Sequence, residues 1–235
     1  MASGKARWSG AAISAVLALA LGAAWFAPVL AESSALTEEF DRTSMTYMHL
    51  IYQFEQQGVA PQWTTASGTS SISMDDTHLW GIGFGYFFTN KFAFRFETVM
   101  GSTDFWGTGG ELGVGRDVFF NTGLFNVDFH LFDKRFTPLV TGGIGWNYLE
   151  ATLTNMPVTP GYCYWDPWWG YICTGAGYPV YTSTDWIYDF GVGFRWDAPA
   201  NFFLKAAIDV SWVKYPEADN YARLGKFGIS LGVNY

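Results

Sequence analysis

Charge is scarce in this chain: acidic and basic residues together make up 14% of 235 residues, against roughly 25% in a soluble globular domain. Basic residues are the scarcer kind, 13 Lys and Arg against 21 Asp and Glu. A nucleic-acid partner needs a basic face, so none is expected. Past residue 31 there is no stretch of 18 apolar residues, which excludes a bundle of membrane-spanning helices. Long polar tracts are missing too, and a chain that is 49% apolar is not a disordered one. Only two cysteines occur, Cys163 and Cys173. What the chain has in excess is aromatic: 12 Trp, 13 Tyr and 21 Phe, or 20% of all residues.

The first residues read as an export signal. Lys5 and Arg7 precede an apolar, uncharged stretch at 11–24, and Val29-Leu30-Ala31 puts small residues where a signal peptidase reads. Cleavage after Ala31 is the expectation; it would leave 21 acids facing 11 bases, a charge of −10. The alternative is an uncleaved helical anchor, because residues 11–31 could span about 30 Å of hydrocarbon. Export would place the cysteine pair in an oxidising compartment, where it can close a disulfide.

Beyond the signal, period two dominates. In residues 79–88 one face reads Trp80, Ile82, Phe84, Tyr86, Phe88, while the other reads Leu79, Gly81, Gly83, Gly85, Phe87. The same two-faced pattern recurs at Phe92 to Met100, Phe125 to Leu131, Val140 to Tyr148, Trp186 to Trp196 and Leu204 to Trp212. A first strand at 43–56 and a last at 226–235 bring the number to eight. The fourth is the least regular. Residues 111–120 alternate in a phase that sets Arg116 beside Leu112 and Val114, which predicts a bulge or an extension of that hairpin.

The connections alternate between tight (89–91, 133–136, 197–201) and long (58–76, 101–121, 151–183, 216–225). That alternation, with eight amphipathic strands, predicts an all-β fold: an eight-stranded antiparallel transmembrane up-and-down β-barrel with periplasmic turns and external loops. Two aromatic girdles fit the same reading, Trp80, Trp146, Tyr148, Trp186 and Trp212 toward the loops, Tyr86, Phe88, Phe92, Trp196, Phe202 and Tyr235 toward the turns. The rival is a secreted lipocalin-like barrel or a sandwich, with the apolar face inside. The expected organisation is a signal peptide at 1–31, a short periplasmic N-terminal segment at 32–42 and the barrel at 43–235, both termini being periplasmic.

The run Arg135-Phe136-Thr137-Pro138-Leu139-Val140-Thr141-Gly142-Gly143-Ile144-Gly145-Trp146-Asn147-Tyr148 resembles the RFxPYVGxGxGYxY strand of small outer-membrane barrels of the OmpA and OmpW type. The terminal strand ending in Tyr235 is similar to the insertion signal of the barrel-assembly machinery. No segment resembles the peptidoglycan-binding domain that follows some OmpA barrels. The resemblance implies residence in the outer membrane among lipid and lipopolysaccharide, and leaves the surface ligand unspecified.

No nucleophile elbow, metal-ligand spacing or phosphate loop is present, so neither catalytic residues, nor a metal, nor a cofactor is expected. Asp128-Phe129-His130 resembles the Asp-x-His of the omptin proteases, but His130 falls near the turn end and not at an external rim; His49 and His78 read as lumen or rim polar groups. The inner-face charges sort by depth: Arg95, Arg195, Lys205 and His130 near the turns, Glu97, Asp128, Asp189 and Asp209 about one layer higher. They are expected to form an ion-pair network plugging a tube too narrow for a channel; a wet lumen of separately hydrated charges is the alternative. In the longest loop a Cys163–Cys173 disulfide is expected, amid Tyr164, Trp165, Trp168, Trp169 and Tyr171, candidate surface-binding aromatics or a small external core. Two functions stay open: a structural or surface-interaction barrel working through its external loops, and a passive channel for small apolar solutes, as OmpW-like proteins would imply. A channel needs an apolar inner face at its mouth, whereas the inner positions read mostly as Gly, Thr, Asn and charge, with Leu139, Leu149 and Val213 as exceptions.

Overall fold

The computed structural model describes residues 38–65, 68–108, 115–153, 160–161, 163–166, 170–173, 180–199 and 201–235. The expected signal peptide lies outside them. In chain order the described strands are β1 (Thr46–Val59), β2 (Gln62–Thr65), β3 (Gly68–Met74), β4 (Thr77–Phe87), β5 (Phe92–Thr103), β6 (Phe105–Thr108), β7 (Gly115–His130), β8 (Phe136–Leu153), β9 (Cys163–Asp166), β10 (Gly170–Cys173), β11 (Val180–Asp197), β12 (Phe202–Val213) and β13 (Ala222–Asn234). Eight of them, β1, β4, β5, β7, β8, β11, β12 and β13, pair with their neighbours in sequence order, and β1 pairs with β13 to close the barrel. Every contact is antiparallel, as an up-and-down barrel requires.

Alternation decides which face points where. Leu50, Ile82, Phe84, Phe125, Val127, Ile144, Phe190, Val192, Ile208 and Leu231 are exposed on the outside, while Arg95, Asp128, Asn126, Thr141, Arg195 and Lys205 are buried inside. This is the reverse of a lipocalin or a sandwich. It is the distribution a bilayer demands, because hydrocarbon tolerates apolar side chains and a closed ladder leaves no backbone polar group unpaired. Inner-face glycines make room for large polar neighbours: a methyl group at Gly83 would collide with the His49 ring, and one at Gly191 with the Asp209 carboxylate.

Strand limits differ from the periodicity at three places. β1 begins at Thr46 and not at residue 43, because Ser44 has a positive φ of 66° and the Met45 N–H turns back to the Arg42 carbonyl. β7 runs through to Gly115 with a register shift against β8 between Arg116 and Phe119, so the irregular fourth strand is one bulged strand. The segments read as plain long connections also carry strands. β2, β3 and β6 form a three-stranded sheet beyond the loop end, and β9 pairs with β10.

The loop end is closed by apolar packing. Met74 of β3 and Phe105, which opens β6, join a buried cluster with Val118, Phe120, Leu124, Leu149, Ile187, Val213 and Leu224 from the inner face of the barrel. The expectation of a mostly Gly, Thr, Asn and charged inner face holds in part, since apolar side chains also fill it toward the loops, at Leu124, Leu149, Ile187 and Val213, and at the turn end, at Tyr47, Phe87 and Phe203. Where apolar residues stand on both faces of a strand, the contrast that periodicity detects is weakened.

Candidate functional site

The lumen and the loop end are the two places where chemistry concentrates. At the turn end, residues 38–45 lie across the mouth: the Phe40 N–H donates to the Asp133 carbonyl, Glu39 bridges to Lys134, and Arg135 Nε sits 2.8 Å from Glu38 Oε2. The exposed Asp41 accepts from the Thr43 backbone N–H at 2.9 Å, which holds its carboxyl below the usual range. Arg42 is fully buried and points into the barrel. Its guanidinium donates to Asp197 Oδ2 at 2.8 Å and to the Lys134 carbonyl. Asp197 in turn accepts from Arg195 at 2.9 Å and from Asn234 Nδ2 at 3.0 Å. The Arg195 guanidinium lies over the ring of Phe203 at 3.7 Å, with Tyr47 and Phe87 beside it. Two cations therefore share one carboxylate inside an aromatic collar.

One level higher, Asp128 is the shared anion. Arg95 approaches it with two nitrogens, at 3.1 and 3.2 Å, and Lys205 reaches it from β12 at 3.2 Å. Arg95 also pairs with Glu97, which accepts from Asn126 Nδ2 at 3.1 Å. Higher still, Lys226 is 3.4 Å from Asp189, which accepts from the Ser211 hydroxyl, and Glu55 stands opposite Lys226 in register.

The eight lumen residues expected as one network thus fall into separate groups. Arg95, Glu97, Asp128 and Lys205 come together. Asp189 sits with Lys226, and Arg195 turns toward the mouth to Asp197 instead of toward Asp189 and Asp209. Asp209 lies over Gly191 with Oδ1 unpaired, and His130 packs 5.1 Å from Phe87 with neither ring nitrogen hydrogen-bonded among the described residues. The Asp-x-His spacing makes no dyad, since Asp128 is taken by Arg95 and Lys205. Arg42, Asp197 and Lys226 are the members that sequence reasoning missed. Extending the inner-face alternation by two residues reaches both Asp197, beyond Arg195, and Lys226, before Gly228. Nothing periodic marks Arg42.

At the loop end, Cys163 and Cys173 are Cα partners in the β9–β10 ladder, as are Trp165 and Tyr171, and Tyr164 and Ile172. Trp165 is 67% exposed. Trp168 and Trp169 lie outside the described residues. His78 is on the outer face, stacked on Tyr52 with its Nδ1 2.7 Å from the Tyr52 hydroxyl.

The sequence matches no family model and no curated protein. The structure matches solved barrels. Neisserial surface protein A is similar with a TM-score of 0.51 at 10% identity, over 81% of this chain and 97% of that one. OprG, an outer membrane protein from Pseudomonas aeruginosa, is similar with a TM-score of 0.51 at 11% identity, over 83% and 98%. At such identity the likeness is one of architecture, and it is the architecture that the strand pairing, the outward apolar face and the closed ladder had already defined: the chain has the fold of the small eight-stranded outer-membrane β-barrels.

Proposed function

We propose that the protein is a cell outer-membrane barrel with a closed lumen, exported by a cleaved signal at 1–31, and that its work is surface interaction through the loop end. The observation that carries this reading is the filling of the tube: ion-paired layers around Asp197, Asp128 and Asp189, then an apolar cluster under β3 and β6. An interior of eight strands is just wide enough for side chains. In this reading the short turns and both termini face the periplasm, Tyr235 closes the strand that the barrel-assembly machinery reads, and the outer face contacts lipid and lipopolysaccharide. The role is non-catalytic. A second reading, a passive channel for small apolar solutes, draws on the apolar cluster at the loop end; it would require that cluster to open.

The β9–β10 hairpin is the proposed contact. Its register supports a Cys163–Cys173 disulfide, which would order the loop by roughly 2 to 3 kcal/mol. Exposed Trp165, with Tyr164, Trp168, Trp169 and Tyr171 in the same segment, would offer flat faces suited to sugar rings or apolar groups. Replacing Trp165, Trp168 and Trp169 by alanine is expected to abolish glycan or cell-surface binding without moving the melting transition. Undiminished binding would contradict the platform, and a mass spectrum of unreduced protein with two free thiols would contradict the disulfide.

A further inference from the structure

β8 and β11, at 18 residues each, are the longest strands of the barrel, and their extra length stands at the loop end. β12 stops at Val213, the register partner of Ile187, whereas β11 begins at Val180. Over residues 180–186 β11 pairs with β8, from Thr152 to Trp146, without a register shift, and on its other side no strand stands beside it among the described residues. The connection after β12 is tied elsewhere, to β2 beyond β1: Trp63 Nε1 donates to the Pro216 carbonyl, the Asp219 N–H to the Gln62 carbonyl, and the Gln62 N–H to Asn220 Oδ1. At the turn end the Ala198 N–H donates to the Phe202 carbonyl, so the even-numbered residues of β11 turn their backbone groups toward β12. Carried up the unbroken strand, that alternation points the N–H and C=O of Thr182, Thr184 and Trp186 to the open side.

A row of unpaired backbone groups is a template for another strand, and proteins that must avoid such pairing blunt the edge with proline, lysine or a bulge. Val180-Tyr181-Thr182-Ser183-Thr184-Asp185-Trp186 has none of these and is rich in residues suited to strands. Its one charge, Asp185, is buried on the inner face and accepts from the Ser183 hydroxyl at 2.7 Å. On the outer face the exposed Glu150 of β8 stands opposite Thr182 and accepts from the Tyr148 hydroxyl at 2.9 Å. Neither carboxylate has an ion pair among the described residues. The surroundings are acidic as well, with Asp75, Asp76, Asp104, Glu217 and Asp219 at the loop end. A neutral strand added here would leave Asp185 without a counter-ion, and a second copy of this chain would bring like charge to like. An incoming strand with lysines would meet a carboxylate on either face.

We propose, building on the surface-interaction reading, that residues 180–186 of β11 bind an extended, cationic segment of another protein as an added antiparallel strand. One basic side chain would stand opposite Asp185, and another opposite Thr182, next to Glu150. The test uses the full mature chain folded in a zwitterionic detergent and the fluorescence anisotropy of a labelled peptide, Thr-Lys-Val-Thr-Lys-Val-Thr, whose lysines take those two positions. A single saturable site is expected. Methylating the peptide nitrogens that face β11 should weaken binding at least roughly tenfold, since ladder hydrogen bonds are lost while the charge is kept. Glutamates in place of the lysines should abolish it. T184P removes a donor from the open side and none from the β8 ladder, as proline does on an edge strand, and should match the loss on methylation. E150Q with D185N should also weaken binding, whereas K91Q at the opposite end should not, with all proteins keeping the heat-shifted gel band of a folded barrel. Equal binding of the methylated peptide, or equal binding by T184P, would overturn the added strand. Equal binding of the glutamate peptide would overturn the cationic partner, and a dimer in native mass spectrometry that T184P dissolves would put a second copy in its place. No peptide binding by a folded barrel whose β9–β10 hairpin still binds glycan would reject this edge and leave the surface-interaction reading standing.

Discussion

Asp128→Ala is expected to destabilise the barrel by about 3 to 5 kcal/mol, the cost of leaving buried charge without its counter-ion. The aspartate accepts two nitrogens of Arg95 and the ammonium of Lys205, and all three side chains are almost completely buried. Glu97 remains for Arg95, but Lys205 has no second ion pair among the described residues. Urea titration followed by the heat-shifted gel band measures the loss. Replacing the trio together, Arg95→Met with Asp128→Leu and Lys205→Met, should recover much of it, because well-packed apolar side chains avoid the desolvation cost altogether. A midpoint unmoved by Asp128→Ala would mean that water already solvates these charges, the wet-lumen alternative.

Asp197→Ala should act at the turn end with a second, separable consequence. Arg42 and Arg195 are both fully buried and both rely on Asp197, so its removal leaves two guanidiniums facing each other, again at about 3 to 5 kcal/mol. Arg42 is also the residue that ties the N-terminal segment into the barrel, with help from the Lys134 carbonyl and Asn90. Limited trypsin digestion in detergent should therefore cut after Arg42 in the variant and spare it in the unmutated protein. Equal protection of Arg42 in both would show that the backbone contacts of Glu39 and Phe40 are sufficient to hold the segment.

How much of this could be read from the residues follows from what period two contains. It carries one bit per residue, which of two faces, and with the aromatic girdles and alternating connections marking the membrane face it places Leu50, Trp80, Phe190 and Leu231 outside and Arg95, Asp128 and Lys205 inside. It carries nothing about stagger. Arg95 stands opposite Asn126 in register and reaches along β7 to Asp128, while Lys205 reaches Asp128 from β12, three strands away through β11 and β8. Those partners are set by closure and shear, which no single strand encodes. Arg195 differs for another reason: its partner Asp197 is two residues along its own strand, at a position that reads as a turn. The turn-end latch was invisible because residues 38–45 are not periodic, and the small sheet of β2, β3 and β6 because its strands are short and pair between two different loops.

The central claim, a barrel filled from mouth to mouth, is tested most directly by planar-bilayer recording of the unmutated, detergent-refolded protein. The packing of Arg42, Asp197 and Arg195 at the turn end, Arg95, Asp128 and Lys205 above them, and Phe105 and Met74 under the loops predicts a baseline without steady conductance steps. A stable, reproducible open level in protein whose heat-shifted band confirms the folded barrel would contradict it.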